Sequence, residues 1–185
     1  MTIIEIKNYF IDRSDEIISL SLRGDPWIFL CGAAMIDYLT HMTEGYSRKA
    51  KYIKFVKDYF SRVDSRYKDF EYQNGIRPKD LPEQMYTILR CGIVHSFSFV
   101  PNSLGISNGG RERSILLAHE KNGYNHFDPY TKDGMDSVIF TAEQFSRDIK
   151  SVVEIIFEDV KTNQQLENAI KSHVTNHPPI FGKFV

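Results

Sequence analysis

Apolar residues recur at helical spacing along most of this chain. The first segment carries Ile3, Ile6, Phe10, Ile17, Leu20 and Leu22 behind Thr2-Ile3-Ile4-Glu5. That four-residue pattern lets a threonine and a glutamate cap each other's exposed amides, so it predicts a helix start. Arg23-Gly24 ends this helix, and Asp25-Pro26 opens a second, with a capping side chain before a proline at the first helical position. From Pro26 to about Glu44 the second helix is apolar almost all round: Trp27, Ile28, Phe29, Leu30, Met35, Ile36, Leu39. A helix with no wide polar face belongs at the centre of its domain. Its Gly32-Ala33-Ala34 run predicts close approach by a neighbour, and Gly45 stops it.

Ser47 begins a third helix reaching about Tyr67, with Tyr52, Ile53, Phe55, Val56, Tyr59, Phe60 and Val63 as its apolar stripe. A loop is expected over 69–80. Pro82 opens a fourth helix, carrying Met85, Tyr86, Ile88, Leu89, Ile93 and Val94 and ending near Phe99, and a glycine- and asparagine-rich loop covers 102–110.

The pattern then changes to short apolar runs. Ser114 to His119 reads as a strand, Asn122-Gly123 as a hairpin turn, 125–130 as the return strand and 137–140 as a third. Thr141 caps a further helix with Phe145, Ile149, Val152, Val153, Ile156, Phe157 and Val160 inward. Thr162-Asn163-Gln164-Gln165 opens a last one to about Val174, and 176–185 reads as an irregular tail. The expected fold is mainly α: a bundle of four to six helices in one domain over 1–175. A small antiparallel β-hairpin or three-stranded sheet is inserted at 111–140.

Composition adds limits. With 42% hydrophobic and 25% charged residues the chain is an ordinary globular one, and a net charge of −1 supplies no global field toward nucleic acid or anionic lipid. Glu5 and Lys7 interrupt the N-terminal apolar run, and no stretch approaches about 18 uninterrupted apolar residues, so no membrane contact and a cytoplasmic location are expected. Cys31 and Cys91 form no C-x-x-C pair and read as buried reduced thiols. Charge is concentrated in one place. Between Ser47 and Lys68 eight basic residues face two acidic ones, a local +6. Such a run is commonly a solvated helix face; it is also the one electrostatic footprint for RNA, with Arg48, Lys49, Lys51, Lys54 and Lys57 as the contacting residues.

The chemical question is raised by ILRCGIVHSF, Ile88 to Phe97, an apolar helical stretch holding Arg90 and His95. At about 100° per residue the two lie about 140° apart and flank a face. Two copies packed about a two-fold axis would bring both residues to each wall of one cleft. As structural groups they would be salt-bridged or hydrogen-bonded inside the bundle.

The R-x4-H spacing on a late helix of an all-helical core resembles the R-x4-6-H motif of the HEPN superfamily. The likeness covers roughly 1–100 and 141–175, with the strands as an elaboration. The resemblance implies a metal-independent endoribonuclease, usually dimeric, with Arg90 and His95 the matching residues. Histidine titrates nearest neutral pH and suits proton transfer to and from the 2′-hydroxyl. Arginine offers a permanent planar fork to phosphate oxygens. Only RNA carries the internal nucleophile. In the family the residue after the arginine is often polar and aids the site; here it is Cys91. The resemblance also implies an alternative, a non-catalytic interaction module with a protein or nucleotide partner, such as an antitoxin or regulator.

Asp37 and Glu44 on the second helix are the acids expected to approach and orient Arg90. His41 reads as a helix C-terminal cap, His119 and His126 as neighbours across the hairpin, and His173 and His177 as straddling a helix end. None of these makes a metal set, and no cofactor motif is present: G-x-x-x-x-G-K, G-x-S-x-G and H-E-x-x-H are all absent. Gly32 to Ala34 and the aromatic third helix are the candidate dimer contacts.

Overall fold

Thr2 starts the fold as its spacing predicts. Its Oγ1 accepts from the Glu5 amide at 3.2 Å, and Glu5 Oε2 accepts from the Thr2 amide at 2.7 Å. The computed structural model describes residues 1–25, 27–70, 81–93, 113–132 and 135–179. Helix α1 (Ile3–Arg23) closes at Gly24, whose φ of 75° is the left-handed conformation that glycine adopts without strain. The Trp27 amide donates to Asp25 Oδ1 at 2.9 Å, which caps α2 (Trp27–Glu44).

Helix α2 is central, as its apolar circumference requires. Ile28, Ala33, Ile36 and Leu39 have no solvent exposure. At Gly32 a Cβ would stand 2.8 Å from Ile149 Cδ1 and 2.9 Å from Phe145 Cε1. The close approach permitted by Gly32-Ala33 is therefore used inside the chain, against α6 (Ala142–Val160).

The expected single third helix is three pieces. Helix α3 (Lys49–Phe55) passes into a π-helical turn at Val56–Phe60 and a last turn at Ser61–Val63; α4 (Arg66–Asp69) follows after a break at Asp64, where the backbone becomes extended. Helix α5 (Leu81–Met85) likewise continues as a π-helix over Tyr86–Ile93. The proposed end of this element near Phe99, the loop at 102–110 and most of the loop at 69–80 lie outside the described residues.

Three strands follow, β1 (Arg113–Ala118), β2 (Pro129–Lys132) and β3 (Met135–Thr141). The sheet is mixed rather than antiparallel: β3 is central, parallel to β1 and antiparallel to β2. Asn122-Gly123 is not the hairpin turn. It closes a 3₁₀ turn over Glu120–Asn122, with Gly123 at φ 83°, and the hairpin joins β2 to β3. The reason is tertiary. Phe127 and Asp128 exchange backbone bonds with Ile139, which draws 125–128 against β3 and leaves β2 to start only at Pro129.

Helix α6 presents Phe145, Ile149, Val152, Val153 and Ile156 inward, all without exposure. Helix α7 (Gln164–Asn176) is capped by Asn163, whose side chain accepts from Leu166 N at 3.0 Å, one residue later than the Thr162 pattern indicates. The fold is thus mainly α with a small three-stranded sheet, and one contiguous buried cluster runs through helices and strands. Among the described residues no helix is long and apolar enough to cross a membrane.

Candidate functional site

Arg90 sits in the π-helical segment, at the seam between that segment and α2. In a π-helix the backbone bonds run i to i+5, and such turns recur at functional sites because they re-aim side chains. Here Tyr86, Arg90 and Cys91 are brought together: the Arg90 guanidinium lies 5.5 Å from the Tyr86 ring centroid, and Tyr86 is hydrogen-bonded with Cys91. Arg90 Nε donates to Asp37 Oδ1 at 3.1 Å. The Ser47 hydroxyl donates to the same oxygen. Burial opposes the guanidinium charge, but the bond to Asp37 and its negative charge prevail, so Arg90 stays protonated more firmly than a free arginine.

The Arg90 side chain is 22% exposed and that of Asp37 29%. The pair is neither a dry core bridge nor a loose surface one. Holding a guanidinium by Nε fixes its plane, and its two terminal nitrogens then form an oriented fork, the geometry suited to a carboxylate or phosphate. Beneath the pair, the ring of Tyr52 packs edge-on to Tyr86 at 5.5 Å; its buried hydroxyl has no partner among the described residues. Burial pushes the Tyr52 phenol far above its ordinary pKa, so it remains protonated.

Of the predicted site, Arg90, Asp37 and Cys91 come together. Glu44 does not join them. It takes Lys51 at 3.1 Å and Lys54 at 2.6 Å instead. His95 lies outside the described residues. Tyr86, Ser47 and Tyr52 are the neighbours that the sequence reading missed. Tyr86, four residues before Arg90 on an expected helix, is the one with a usable signal, since i and i+4 share a face.

The basic face is less positive than its sequence count. Lys49 pairs with Glu83 at 2.5 Å, and Lys54 is shared between Glu44 and Asp58, the latter at 2.8 Å. Arg62 forms a two-bond fork on Asp159, and Arg66 another on Asp64. Arg48 lies 5.6 Å from the Tyr46 ring, with no acidic partner among the described residues, and Lys57 is half-buried.

The histidines separate. His119 Nδ1 meets Glu143 at 3.3 Å, whereas His126 turns inward. His126 Nδ1 accepts from the Thr141 amide at 3.0 Å, so its proton resides on Nε2, which faces the Tyr67 hydroxyl at 3.3 Å. Tyr67 donates to Asp148 Oδ2 at 2.7 Å, and Gln144 donates to Asp148 Oδ1 at 2.7 Å. Burial, aided by the Arg66 charge, pushes the His126 pKa down to about 3. The adjoining Phe127 has φ 67°, the left-handed region, and its ring packs on Tyr67 at 4.8 Å. Every ring nitrogen and carboxylate oxygen in this set has a partner, and the His126, Tyr67 and Asp148 side chains are buried, which makes it a core lock between α4, the sheet and α6. His41, His173 and His177 form a row at the other end, with ring centroids 5.2 and 5.0 Å apart.

No family model, curated protein or solved structure matches this chain.

Proposed function

We propose that this chain is a metal-independent endoribonuclease of the R-x4-H type, acting in the cytoplasm as a homodimer. A role in defence or beside an antitoxin-like partner belongs to the same reading. One observation carries it: the Arg90 guanidinium is held by Asp37 through Nε, on a π-helical turn, with part of its surface open. That is an anchored fork for phosphate oxygens. His95 enters on its sequence position alone, as the proton-transfer group. The 2′-hydroxyl loses a proton and attacks the adjacent phosphorus, and the 5′-oxygen leaves with a proton, giving a 2′,3′-cyclic phosphate. Arg90 neutralises charge on the phosphorane, where a fixed cation is worth most.

The test is cleavage of labelled RNA in EDTA. The chain is expected to cut RNA and to leave cyclic phosphate ends. A 2′-deoxy substitution at the cut site should block the reaction, and Arg90→Ala and His95→Ala should each abolish it. An inert wild-type chain, or cleavage surviving both substitutions, overturns the reading.

A second reading is a non-catalytic module that binds a protein or nucleotide partner. The pairing of Lys49, Lys51 and Lys54 with Glu83 and Glu44 favours it, because a neutralised face attracts a polyanion less. A stable homodimer without cleavage would select it.

A further inference from the structure

Tyr46 stands in the turn between α2 and α3 with 46% of its surface exposed. Gly45 makes that turn: its φ of 81° is left-handed, and a Cβ there would meet nothing within 4 Å. The glycine serves the path of the chain rather than a close contact. The next residue after Tyr46, Ser47, is buried and donates to the Asp37 oxygen that also takes Arg90 Nε. One buried hydroxyl therefore ties the turn that carries Tyr46 to the anchored guanidinium. Tyr46 is a single Cα step, about 3.8 Å, from the residue that makes this tie.

Two cations approach the same ring. Arg48 Cζ and Lys51 Nζ each lie 5.6 Å from its centroid. They differ in what else they hold. Lys51 is bonded to Glu44 at 3.1 Å, whereas Arg48 has no acidic partner among the described residues. Lys51 has its charge met, and Arg48 keeps one to offer. Cation–π contacts at exposed sites are weak, so an arriving planar ring displaces a side chain from the tyrosine face at little cost. A lone half-exposed tyrosine is ordinary. The combination here is not: an open π surface, an uncommitted guanidinium beside it, and an anchored one across Asp37. Proteins that hold single-stranded nucleic acid join aromatic faces for the bases to cations for the backbone. Paired bases are already stacked within their helix, and only unpaired ones are free to lie on a side chain.

We infer, resting on the ribonuclease reading above, that the site takes single-stranded RNA, with one unpaired base stacked on Tyr46 and a neighbouring phosphate on Arg48. Tyr46 is a binding residue and takes no part in proton transfer. Every base has a π face, so the selectivity is for unpaired over paired RNA rather than for one sequence.

Equilibrium binding of a 2′-O-methyl hexanucleotide to the full-length chain tests this, because that probe has no free 2′-hydroxyl with which to be cut. Saturable binding is expected, tighter than to the duplex of the same sequence. Tyr46→Ala should weaken it about tenfold, within the range for one lost stacked base, and Tyr46→Trp should keep it. The slope of log affinity against log salt should be unchanged in Tyr46→Ala and should shrink by about 0.7 in Arg48→Gln, the value for one phosphate contact on a single strand. Both side chains are exposed, so melting curves of these variants should match the wild type. On an abasic hexamer Tyr46→Ala should have no effect. Wild-type affinity in Tyr46→Ala overturns the inference. So does a duplex held as tightly as the single strand, or an equal loss on the abasic probe. Tyr46-dependent binding by a chain that cuts no unmodified RNA would sink the nuclease reading and leave the stacking site standing. Cleavage with a KM that Tyr46→Ala does not raise would do the reverse, and a chain that binds no RNA overturns both.

Discussion

Arg90 is tied to Asp37 across the α2 seam, Nε to Oδ1 at 3.1 Å, and Ser47 donates to the same oxygen. Asp37→Asn keeps an oxygen there and removes the charge. Both partners are partly exposed, so the stability cost is expected to be only about 0.5–1 kcal/mol. The orientation of the fork should suffer more. Single-turnover RNA cleavage is expected to fall about tenfold, with RNA affinity nearly unchanged, because a misplaced group costs rate rather than binding. A parallel melt separates the two effects; equal loss of affinity and rate would place Asp37 in folding or binding instead.

Glu44 neutralises Lys51 and Lys54 on the basic face, and its carboxyl is 10% exposed. Burial disfavours its charge, but the two lysine bonds prevail and hold its pKa below the usual range. Glu44→Gln should therefore leave Lys51 without this anion and Lys54 with Asp58 alone. The expected outcome is tighter RNA binding at low salt. The slope of log affinity against log salt should steepen by about one to two phosphate contacts. Filter binding at several salt concentrations measures both. An unchanged slope would mean that this face does not meet RNA.

The legible parts of this fold are those fixed by near neighbours. The Thr2–Glu5 caps, the Gly24 stop and the buried α2 all rest on residues within one or two turns of each other. The unreadable parts rest on distant partners. Asn122-Gly123 has the composition of a hairpin turn, but the backbone of Phe127 and Asp128 is bonded to Ile139 on the distant β3, and the regular strand pairing of β2 starts only beyond them. The π-helical turns at Val56–Phe60 and Tyr86–Ile93 leave the apolar spacing close to that of an α-helix, so periodicity passes over them. At the site, Asp37 was foreseeable because it shares a helix with the core, facing the motif. Glu44, seven residues on, lies on the same side but is nearer the lysines of α3 and is taken by them. His126 reads as a neighbour of His119 across the hairpin; instead Tyr67, 59 positions away, bonds it, and Tyr67 in turn holds Asp148, 81 positions further on.

His126 makes stability depend on pH. Its folded pKa, about 3, lies below the ordinary value of 6.5, because burial and then the Arg66 charge disfavour the cation. Between those values the unfolded chain binds more protons, so stability rises with pH and is lost as pH falls below about 6.5. Asp148 works in the opposite sense: burial raises its pKa, which favours the folded state at the acid end of the carboxylate range. The histidine slope is thus cleanest from about pH 6.5 to about 5, at up to about 1.4 kcal/mol per pH unit. Urea melts across this window check it. His126→Gln should flatten the curve whatever its cost at neutral pH.

Tyr67 is fully buried and donates to Asp148 at 2.7 Å. Tyr67→Phe keeps the ring contacts with Phe60, Phe127 and Phe140 and deletes only the hydroxyl. Asp148 Oδ2 and His126 Nε2 would each lose a bond in a region closed to water. A loss of about 1–3 kcal/mol is expected. The loss should also move with pH, because an Asp148 without its donor protonates more readily. Denaturant melts near pH 5 and pH 8 should show the larger cost at the higher value, and equal costs would separate the hydroxyl from the Asp148 charge.

Gly32 tests the packing of α2 on α6 with one methyl group. Away from contacts, glycine to alanine inside a helix stabilises by about 1 kcal/mol, through lower backbone entropy of the unfolded chain. Here the new Cβ would stand 2.8 Å from Ile149 Cδ1 and 2.9 Å from Phe145 Cε1. Ile149 and Phe145 are fully buried, with Phe145 stacked on Phe29 at 5.9 Å, so neither can swing into open space. Overpacking a closed core costs about 1–3 kcal/mol, which exceeds the helix gain. Gly32→Ala is therefore expected to destabilise by about 1–2 kcal/mol in equilibrium unfolding, despite its favourable propensity. The double variant Gly32→Ala, Ile149→Val shortens the obstructing side chain and should recover part of the loss. If Gly32→Ala instead stabilises the chain, α2 and α6 are not in the close contact described, and the core has a looser seam at its centre.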